Sequence, residues 1–285
     1  MTKRQRGVGV RRSNDYYLCS SFLRFPCLIM IMDSPLLRLG TVVLVLLAAL
    51  APIWAQRTET KWELKVSDDF NFCETWRFGV ETHNVRDWKT IPLKCQEFVK
   101  EYMMGSQYAM DSALVANESI VYVNSLQLSS DGTDAWVFDV DETLLSNLPY
   151  YQDHEFGAED FDENSWNGWV YQEEAPALSA SHRLYTHLIK LGVKVFFLTG
   201  RGEEQRNATA RNLIQAGYHS WEQLLLRGPD DNGKTAVLYK SERRSQIEQV
   251  GFKIRGNSGD QWSDLSGIST GDRTFKLPNP MYYIA

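Results

Sequence analysis

The feature that most constrains the fold is a short apolar run that leads into evenly spaced polar side chains. Residues 136–138 are Trp, Val and Phe, and Asp139 follows them directly. Asp141 and Thr143 come next at two-residue steps. A continuous apolar run of this kind predicts a strand buried at the centre of a parallel sheet. Because side chains alternate along an extended backbone, both carboxylates can face the same side where the strand ends.

The pair of carboxylates indicates a bound cation. Two carboxylates held this close repel each other unless a cation lies between them or one of them keeps its proton. Asp-x-Asp-x-Thr at the end of a buried strand therefore predicts a divalent metal ion beside a nucleophile that forms an acyl phosphate. A calcium-binding EF-hand loop also begins Asp-x-Asp, but it needs Gly at its sixth position and Glu at its twelfth. Leu144 and Tyr150 occupy those positions here, which excludes a calcium loop.

Strand and helix patterns alternate along the rest of the chain. Short apolar runs predict strands at residues 193–198, 224–226 and 252–257. Apolar steps of three and four residues predict helices at 95–126, with a break near Gly105 or around Asn117, and at 178–191, 203–216 and 241–250. Such alternation predicts a three-layer α/β/α fold, in which helices cover both faces of a parallel central sheet.

Three segments show no regular period. Residues 57–90 mix aromatic and charged side chains, which predicts an irregular start to an N-terminal wrapping and helical unit, 56–130. The acidic and aromatic segment 146–177 directly follows the proposed nucleophile. Since loops after the carboxyl ends of parallel strands form the ligand crevice, we expect it to cap the site of a core domain, 131–285; a packed surface excursion is the alternative. Residues 274–285, which include Pro278 and Pro280, are predicted to form an extended segment over the surface.

An apolar segment at residues 39–55 predicts export. A basic residue precedes it, the small residue Ala55 ends it, and it is short for a membrane span. The pattern is typical of a secretory signal peptide cleaved after Ala55, which leaves no stable membrane anchor; an uncleaved anchor is the alternative. A start at Met32 would give a signal peptide of ordinary length, 32–55, so we expect residues 1–31 to be an alternative or misassigned start.

Removal of residues 1–55 leaves an acidic chain with two cysteines. Those residues hold seven Lys or Arg and two Asp or Glu, so 23 basic and 34 acidic residues remain, a net charge of −11. This charge predicts no nucleic-acid partner. In an oxidising compartment Cys73 and Cys95 are expected to form a disulfide; two free buried thiols are the alternative. Asn117-Glu118-Ser119 and Asn207-Ala208-Thr209 are glycosylation acceptors if exposed.

Polar side chains follow or precede several of the predicted elements at one edge of the sheet. Thr199 follows the second strand, and Lys240 lies just ahead of a helix. Asp260 and Asp264 follow the last strand. Each of these residues alone has an ordinary structural explanation as a helix cap, a solvated lysine or a helix start. Their joint occurrence is typical of phosphoryl transfer, which depends mainly on positioning and charge neutralisation.

Four of these side chains are assigned to the reaction. Asp139 would attack phosphorus and become an aspartyl phosphate. Asp141 would protonate the leaving oxygen and then take a proton from the attacking water. Thr199 would donate a hydrogen bond to a phosphoryl oxygen, and Lys240 would balance the negative charge.

A magnesium ion suits the oxygen ligands of this site. It would be held by Asp139, by the backbone carbonyl of Asp141 and by Asp260. Asp264 completes the metal site, where it would orient Lys240 or a water molecule on the metal ion. The residues predicted to contact the substrate lie next to these groups in the sequence: Thr143, Asn147, Gly200 and Arg201.

The motifs around these residues resemble those of the haloacid dehalogenase (HAD) superfamily, and more closely those of the plant acid phosphatase and vegetative storage protein family. The stretches that carry the resemblance are VFDVDETLLSN from Val137, FLTGR from Phe197, GNSGDQWSD from Gly256 and LPNPMYY from Leu277. The resemblance implies a Rossmann-like hydrolase core and a magnesium-dependent phosphomonoesterase that acts on small substrates. It also implies a secreted or vacuolar plant protein, and it is compatible with a homodimer because related storage proteins are dimeric.

Two functions of different classes follow from this resemblance. Storage members of the family can lack the nucleophilic aspartate, whereas this chain keeps Asp139, which favours an acid phosphatase. The alternative is a vegetative storage protein, a nutrient reserve whose phosphatase activity is weak or incidental. A phosphotransferase that passes phosphate to an alcohol shares the intermediate and differs only in acceptor access.

The predicted signal peptide can be tested on the native protein. We expect the mature chain to begin at Gln56, because cleavage follows the small residue Ala55. Mass spectrometry of the N-terminal peptide of the purified protein measures this start. Recovery of peptides from residues 1–31 would contradict the assignment of that stretch as an alternative or misassigned start.

Overall fold

A five-stranded parallel sheet forms the centre of the computed structural model, which describes residues 69–285. The strands are β1 (Asp134–Phe138), β2 (Lys194–Gly202), β3 (Gln223–Arg227), β4 (Lys253–Gly259) and β5 (Arg273–Lys276). Their order in the sheet is β3-β2-β1-β4-β5, so the strand that leads into Asp139 lies in the middle. The predicted parallel α/β fold is confirmed. The predictions for residues 1–31 and 32–55 lie outside the described residues, as does the start of the 56–130 unit.

Helices flank the strands along the chain. They are α1 (Asp69–Glu81), α2 (Gln96–Met104), α3 (Ser106–Ser125), α4 (Leu148–Asp153), α5 (Glu163–Gln172), α6 (Ser179–Lys190), α7 (Arg206–Gln215), α8 (Ala236–Gln249) and α9 (Trp262–Leu265). Short 3₁₀ turns lie at Leu93–Cys95, Glu155–Gly157, Glu203–Gln205 and Pro229–Asp231.

The sheet separates two apolar clusters, because successive side chains of a strand point to opposite faces. On one face Trp136, Phe138 and Phe197 pack against α3, α6 and α7. On the other face Val137 and Phe196 pack against α8. Helices therefore cover both faces, as the alternation of strands and helices predicts.

The N-terminal segment is more helical than its sequence predicts. Helix α1 occupies part of the stretch that is predicted to be irregular, and that prediction is wrong. Its apolar face is formed by Phe72, Trp76 and Val80, which recur at four-residue steps and pack into one cluster. The period is hard to see in the sequence because Phe78, also apolar, lies on the exposed side of the helix.

Two further helix boundaries bear on the predictions. The helical stretch 95–126 breaks at Gly105, as predicted, and continues through Asn117 without a break. Helix α8 begins earlier than predicted, because the side chain of Thr235 caps its first turn. Lys240 therefore lies within the second turn of α8 rather than ahead of the helix.

The two other segments that lack a clear period also differ from expectation. Helices α4 and α5 lie inside the segment 146–177, and Asp162 caps the start of α5. In the C-terminal stretch, residues 277–281 are buried rather than spread over the surface. Met281 packs in the same apolar cluster as Trp76 of α1, so the stretch joins the N-terminal segment to the core.

The two cysteines are paired, and both glycosylation sequons are accessible. Cys73 of α1 is bonded to Cys95 in the turn before α2, as predicted. The sequon residues Asn117 and Asn207 are both exposed. Within the described part of the chain, no helix has the length and apolar character needed to cross a lipid bilayer.

A buried ion pair holds the start of β1. Asp134 accepts hydrogen bonds from Arg255 of β4 and from the backbone and side chain of Ser129. Burial raises the pKa of Asp134, but these hydrogen bonds outweigh burial and bring the pKa below its ordinary value of 3.8. Stability from these contacts is therefore present above the unfolded pKa and is lost as the pH falls through the lower, folded pKa.

We expect Asp134→Asn to lower the free energy of unfolding at neutral pH by roughly 1.5–3 kcal/mol, because hydrogen bonds to charged groups contribute about that much. The difference between wild type and variant should begin to shrink below a pH of about 4, where the carboxyl group of the unfolded chain is protonated, and should vanish below the lower, folded pKa. Urea unfolding at several pH values measures both effects, with exposed Asp230 as the control in Asp230→Asn. A difference that stays constant down to a pH of about 2 would contradict the assignment.

Candidate active site

Lys240 joins two acidic side chains that come from distant parts of the chain. Its ammonium group donates to Oδ1 of Asp139 at 2.6 Å and to Oδ1 of Asp264. Asp139 follows the central strand β1, and Asp264 lies in α9, directly after β4. All three side chains are buried. Because β1 and β4 are parallel neighbours, both acidic groups lie at the carboxyl edge of the sheet.

Asp260 completes a group of carboxylates that could hold a metal ion. One oxygen each from Asp139, Asp260 and Asp264 lies within 4.8 Å of the other two. Lys240 supplies one positive charge against these three carboxyl groups, so two negative charges are left without a partner in a buried space when all three are ionised. Carboxylate oxygens are the donors that hard divalent cations prefer. The donor set and the charge surplus both fit a divalent cation.

The pKa values of these groups show the same excess of negative charge. Burial, and then the neighbouring carboxylate of Asp264, raise the pKa of Asp139 well above its ordinary value against the opposing effect of Lys240. Burial and Asp264 also raise the pKa of Asp260 to about 6. Burial lowers the pKa of Lys240, but Asp139 and Asp264 outweigh it, so the ammonium stays charged. A cation in this space would offset the repulsion between the carboxylates.

Asp141 lies on the other side of the site and pairs with Arg201. The guanidinium donates from Nη2 to Asp141 Oδ1 at 2.7 Å and from Nε to both carboxylate oxygens. Thr199 Oγ1 lies 3.4 Å from Asp141 Oδ2. Burial raises the pKa of Asp141, but the charge and hydrogen bonds of Arg201 outweigh burial and lower it. Arg201 is itself buried, so the ion pair has a fixed place in the site.

The amide of Asn147 is held in one orientation behind Asp141. Trp169 Nε1, which can only donate, donates to Asn147 Oδ1 at 2.9 Å. The Nδ2 group of Asn147 therefore faces Asp141 Oδ1, at 3.0 Å. Asn147 is predicted to contact the substrate, but its buried side chain contacts Asp141 and Trp169 instead.

Thr143 is also predicted to contact the substrate, and the structure places it beneath Asp260. Its hydroxyl group donates to Asp260 Oδ1 at 3.2 Å and accepts from the Asp260 backbone N–H at 3.1 Å. Thr143 is fully buried. The side chain therefore links the turn after β1 to the turn after β4, and it positions a carboxylate of the candidate metal site.

Glu142 is a residue of the site that the sequence analysis does not single out. Its Oε1 accepts hydrogen bonds from the Asn147 backbone N–H and from the Ser146 hydroxyl. Its φ of +51° lies in the left-handed region, which non-glycine residues rarely adopt. Burial raises the pKa of Glu142 to about 8. These contacts fold the turn back so that Asn147 reaches Asp141, and a single glutamate in the sequence carries no signal of this.

A cavity of about 710 Å³ lies above the acidic groups. The predicted residues Asp139, Asp141, Gly200, Arg201 and Lys240 line it. Aromatic side chains from the N-terminal segment, the 146–177 insert and the C-terminal stretch also line it, among them Trp88, Tyr150, Tyr151, Phe161, Trp166 and Tyr282. A cavity of this volume is suited to a small organic molecule.

Comparison with known proteins agrees with this geometry. A family model described as HAD superfamily, subfamily IIIB (Acid phosphatase), matches residues 57–285. The chain belongs to this family. The resemblance inferred from the motifs is therefore confirmed.

Some relatives of this chain are named acid phosphatases, and others are named vegetative storage proteins. It is 58% identical over 212 residues to acid phosphatase 1 of Solanum lycopersicum, which covers 74% of this chain and 83% of that protein. It is 38% identical over 222 residues to vegetative storage protein 2 of Arabidopsis thaliana, which covers 77% of this chain and 83% of that protein.

The class C acid phosphatase from Bacillus anthracis shares the fold of this subfamily IIIB chain. The TM-score is 0.56 at 22% identity, and the match covers 66% of this chain and 85% of that one. This similarity supports the predicted HAD-like core.

We expect Trp169→Phe to lower kcat for an aryl phosphate by roughly tenfold, because loss of one buried hydrogen bond costs about 1–1.5 kcal/mol and frees the Asn147 amide to turn away from Asp141. KM should stay unchanged, since Trp169 acts behind Asp141. Steady-state kinetics measures both constants, with Trp221→Phe as the control because Trp221 packs only at the margin of the main core cluster. An unchanged kcat in a folded Trp169→Phe protein would refute the positioning role.

Proposed function

We propose that this chain is an acid phosphatase that hydrolyses small phosphate monoesters through an aspartyl-phosphate intermediate, with Mg²⁺ bound. The observation that supports this function best is the buried group of Asp139, Asp260 and Asp264 with Lys240 at the base of the cavity. It places a nucleophilic carboxylate, a fixed ammonium group and a surplus of negative charge at one point. Phosphoryl transfer needs this combination of positioning and charge.

Asp139 is the proposed nucleophile. One of its oxygens is held by Lys240 at 2.6 Å, which fixes the carboxylate at the cavity. A carboxylate oxygen attacks phosphorus, and the bond from phosphorus to the ester oxygen breaks as the new bond from Asp139 to phosphorus forms. Water then attacks the aspartyl phosphate, releasing inorganic phosphate and restoring the carboxylate.

Asp141 is the proposed proton carrier. It lines the same cavity as Asp139, so its carboxyl group can reach the ester oxygen that leaves. It gives a proton to that oxygen in the first step, which needs an acidic pH because Arg201 lowers the pKa of this carboxyl group, and it takes a proton from water in the second step. Arg201 and Asn147 hold the carboxyl group in place by hydrogen bonds. Thr199 and the backbone near Gly200 would orient the phosphoryl oxygens, as the sequence predicts.

The Mg²⁺ ion would be held by Asp139 and Asp260, with Asp264 in the same group and the backbone carbonyl of Asp141 as the ligand predicted from the sequence. When bound, it neutralises negative charge on the phosphoryl group and helps to fix its position. The charge surplus of the three carboxylates over Lys240 supports a divalent ion. Oxygen-only donors favour Mg²⁺ over softer metals.

The remaining expectations from the sequence are part of the same proposal. The 146–177 insert would cap the site, which is supported by the aromatic side chains it contributes to the cavity wall. A signal peptide and a secreted or vacuolar location are supported by the apolar segment 39–55 and by relatives that include the stem 28 kDa glycoprotein of Glycine max. Glycosylation is supported by the exposed Asn117 and Asn207. A homodimer and the absence of nucleic-acid partners also belong to the proposal.

A nutrient reserve role is the second candidate, favoured by relatives named vegetative storage proteins. The two candidates differ in whether Asp139 acts as a catalytic nucleophile. A reserve protein needs amino acids and a stable fold, and gains nothing from a nucleophile held by a buried lysine. The intact group of residues around Lys240 therefore favours the enzyme.

We expect Asp139→Asn to lower hydrolysis of an aryl phosphate in the presence of Mg²⁺ on the order of 10³-fold or more, because the amide cannot act as the nucleophile. A release assay for the aryl alcohol measures the rate. Asp131→Asn makes the same chemical change at an exposed turn before β1 and should keep full activity. If wild type and Asp139→Asn hydrolyse the ester equally slowly, the reserve protein is the better assignment.

A further inference from the structure

The carboxylate of Asp260 is unequally hydrogen-bonded at its two oxygens. Oδ2 accepts from Gln261 Nε2 and from Asn279 Nδ2, both at 2.7 Å. Oδ1 accepts only the longer bond from Thr143 Oγ1, at 3.2 Å, among the hydrogen bonds found in residues 69–285. All of these side chains are buried. The inequality is therefore set by three buried protein side chains.

The C-terminal segment, residues 279–284, sets the orientation of both amides. The Met281 backbone N–H donates to Asn279 Oδ1 at 2.9 Å. The Ile284 backbone N–H donates to Gln261 Oε1 at 3.0 Å. A backbone N–H can only donate, so each amide oxygen must face that N–H, and each NH₂ group is left to donate to other acceptors. For Gln261 these are Asp260 Oδ2 and, at 3.2 Å, the Tyr282 backbone carbonyl. Both NH₂ groups consequently point at the same oxygen of Asp260.

The C-terminal segment is itself fixed by the N-terminal helix α1. Glu81, the last residue of α1, accepts hydrogen bonds from the Asn279 backbone N–H at 2.9 Å and from Lys276 Nζ at 2.7 Å. The α1 helix is in turn held by the Cys73–Cys95 disulfide. The position of the two amides is therefore determined by packing across the whole N-terminal and C-terminal parts of the described chain.

The number of free acceptor positions on Asp260 decides how it can bind a metal ion. A carboxylate oxygen has about two lone-pair positions. On Oδ2 both are taken by the amides, whereas on Oδ1 only one is taken, by Thr143. Asp260 can therefore bind a cation in monodentate fashion, through Oδ1, and not in bidentate fashion through both oxygens.

We infer that the C-terminal segment makes Asp260 a one-oxygen ligand and thereby sets the selectivity of the candidate metal site for Mg²⁺ over Ca²⁺. The inference rests on the proposed function, which places a metal ion at this site. Mg²⁺ requires six ligands in near-octahedral geometry, for which single-oxygen carboxylates are suited. Ca²⁺ takes six to eight ligands and accepts carboxylates that bind through both oxygens. Holding Oδ2 away from the metal ion removes one of the ligands that Ca²⁺ can use.

Two substitutions test whether the C-terminal segment controls metal binding by Asp260, one through a side chain and one through the backbone. Asn279→Ala removes one amide from Asp260 directly. Ile284→Pro removes the backbone N–H that orients Gln261, together with the side chain of a residue that is 47% exposed, and it leaves every side chain that contacts Asp260 unchanged. Asn124→Ala, which removes an exposed amide from the end of α3, is the matched control.

The experiment is isothermal titration calorimetry of each full-length mature protein with MgCl₂ and, separately, with CaCl₂. We expect the Mg²⁺ Kd to rise 10- to 100-fold in Asn279→Ala, the usual range for loss of a residue that orients a metal ligand, and less in Ile284→Pro. The Ca²⁺ Kd should stay the same or fall, since Oδ2 becomes free to bind. The control should match wild type for both ions. Thermal melting in a chelator confirms that each variant is folded.

The outcomes separate the inference from the proposed function. If wild type binds Mg²⁺ and the ratio of the two Kd values is unchanged in both variants, the inference is overturned and the proposed function stands. The inference is also overturned if both ions lose affinity by the same factor, because the segment then acts only through the stability of the site. If wild type binds neither ion, the metal site of the proposed function fails as well.

Discussion

The buried ammonium group of Lys240 between Asp139 and Asp264 is the interaction on which the rest of the site depends. Two carboxylates this close and this buried would repel each other and take up a proton if no positive charge lay between them. The ammonium offsets only part of that charge, because Asp260 lies within reach of both. A proton on one carboxyl group or a further cation can offset the remaining charge, and the second possibility links the fold to the chemistry we propose.

The sheet topology explains how side chains so far apart in sequence meet. β1 lies at the centre with β4 and β2 as parallel neighbours, so the residues that follow these strands share one edge. α8 runs along one face of the sheet and delivers Lys240 to the same edge. The N-terminal segment, the insert and the C-terminal stretch then enclose this edge with aromatic side chains. The core thus places the charges, and the added segments form the cavity above them.

Amide side chains recur as the groups that orient the carboxylates. Asn147 contacts Asp141, while Gln261 and Asn279 contact Asp260. In each case a donor that cannot accept faces the amide oxygen, so the NH₂ group has only one direction in which to point. An amide held in this way restrains a carboxylate without adding charge to a site that already has an excess of negative charge. Asp141 and Asp260 are therefore positioned in part by amide residues that a search for charged side chains does not find.

The sequence by itself determined the buried central strand, the parallel α/β order, the disulfide partners and the acidic, hydroxyl and ammonium residues of the site. These follow from local signals: apolar runs, turn residues and polar side chains at strand ends. Only the tertiary structure decided that Asn147 and Thr143 lie behind carboxylates rather than in the cavity, that α1 is a helix and that residues 277–281 are buried. The reason is physical: hydrogen bonds between different segments, such as Asn147 with Trp169 and Thr143 with Asp260, leave no periodic pattern along the chain.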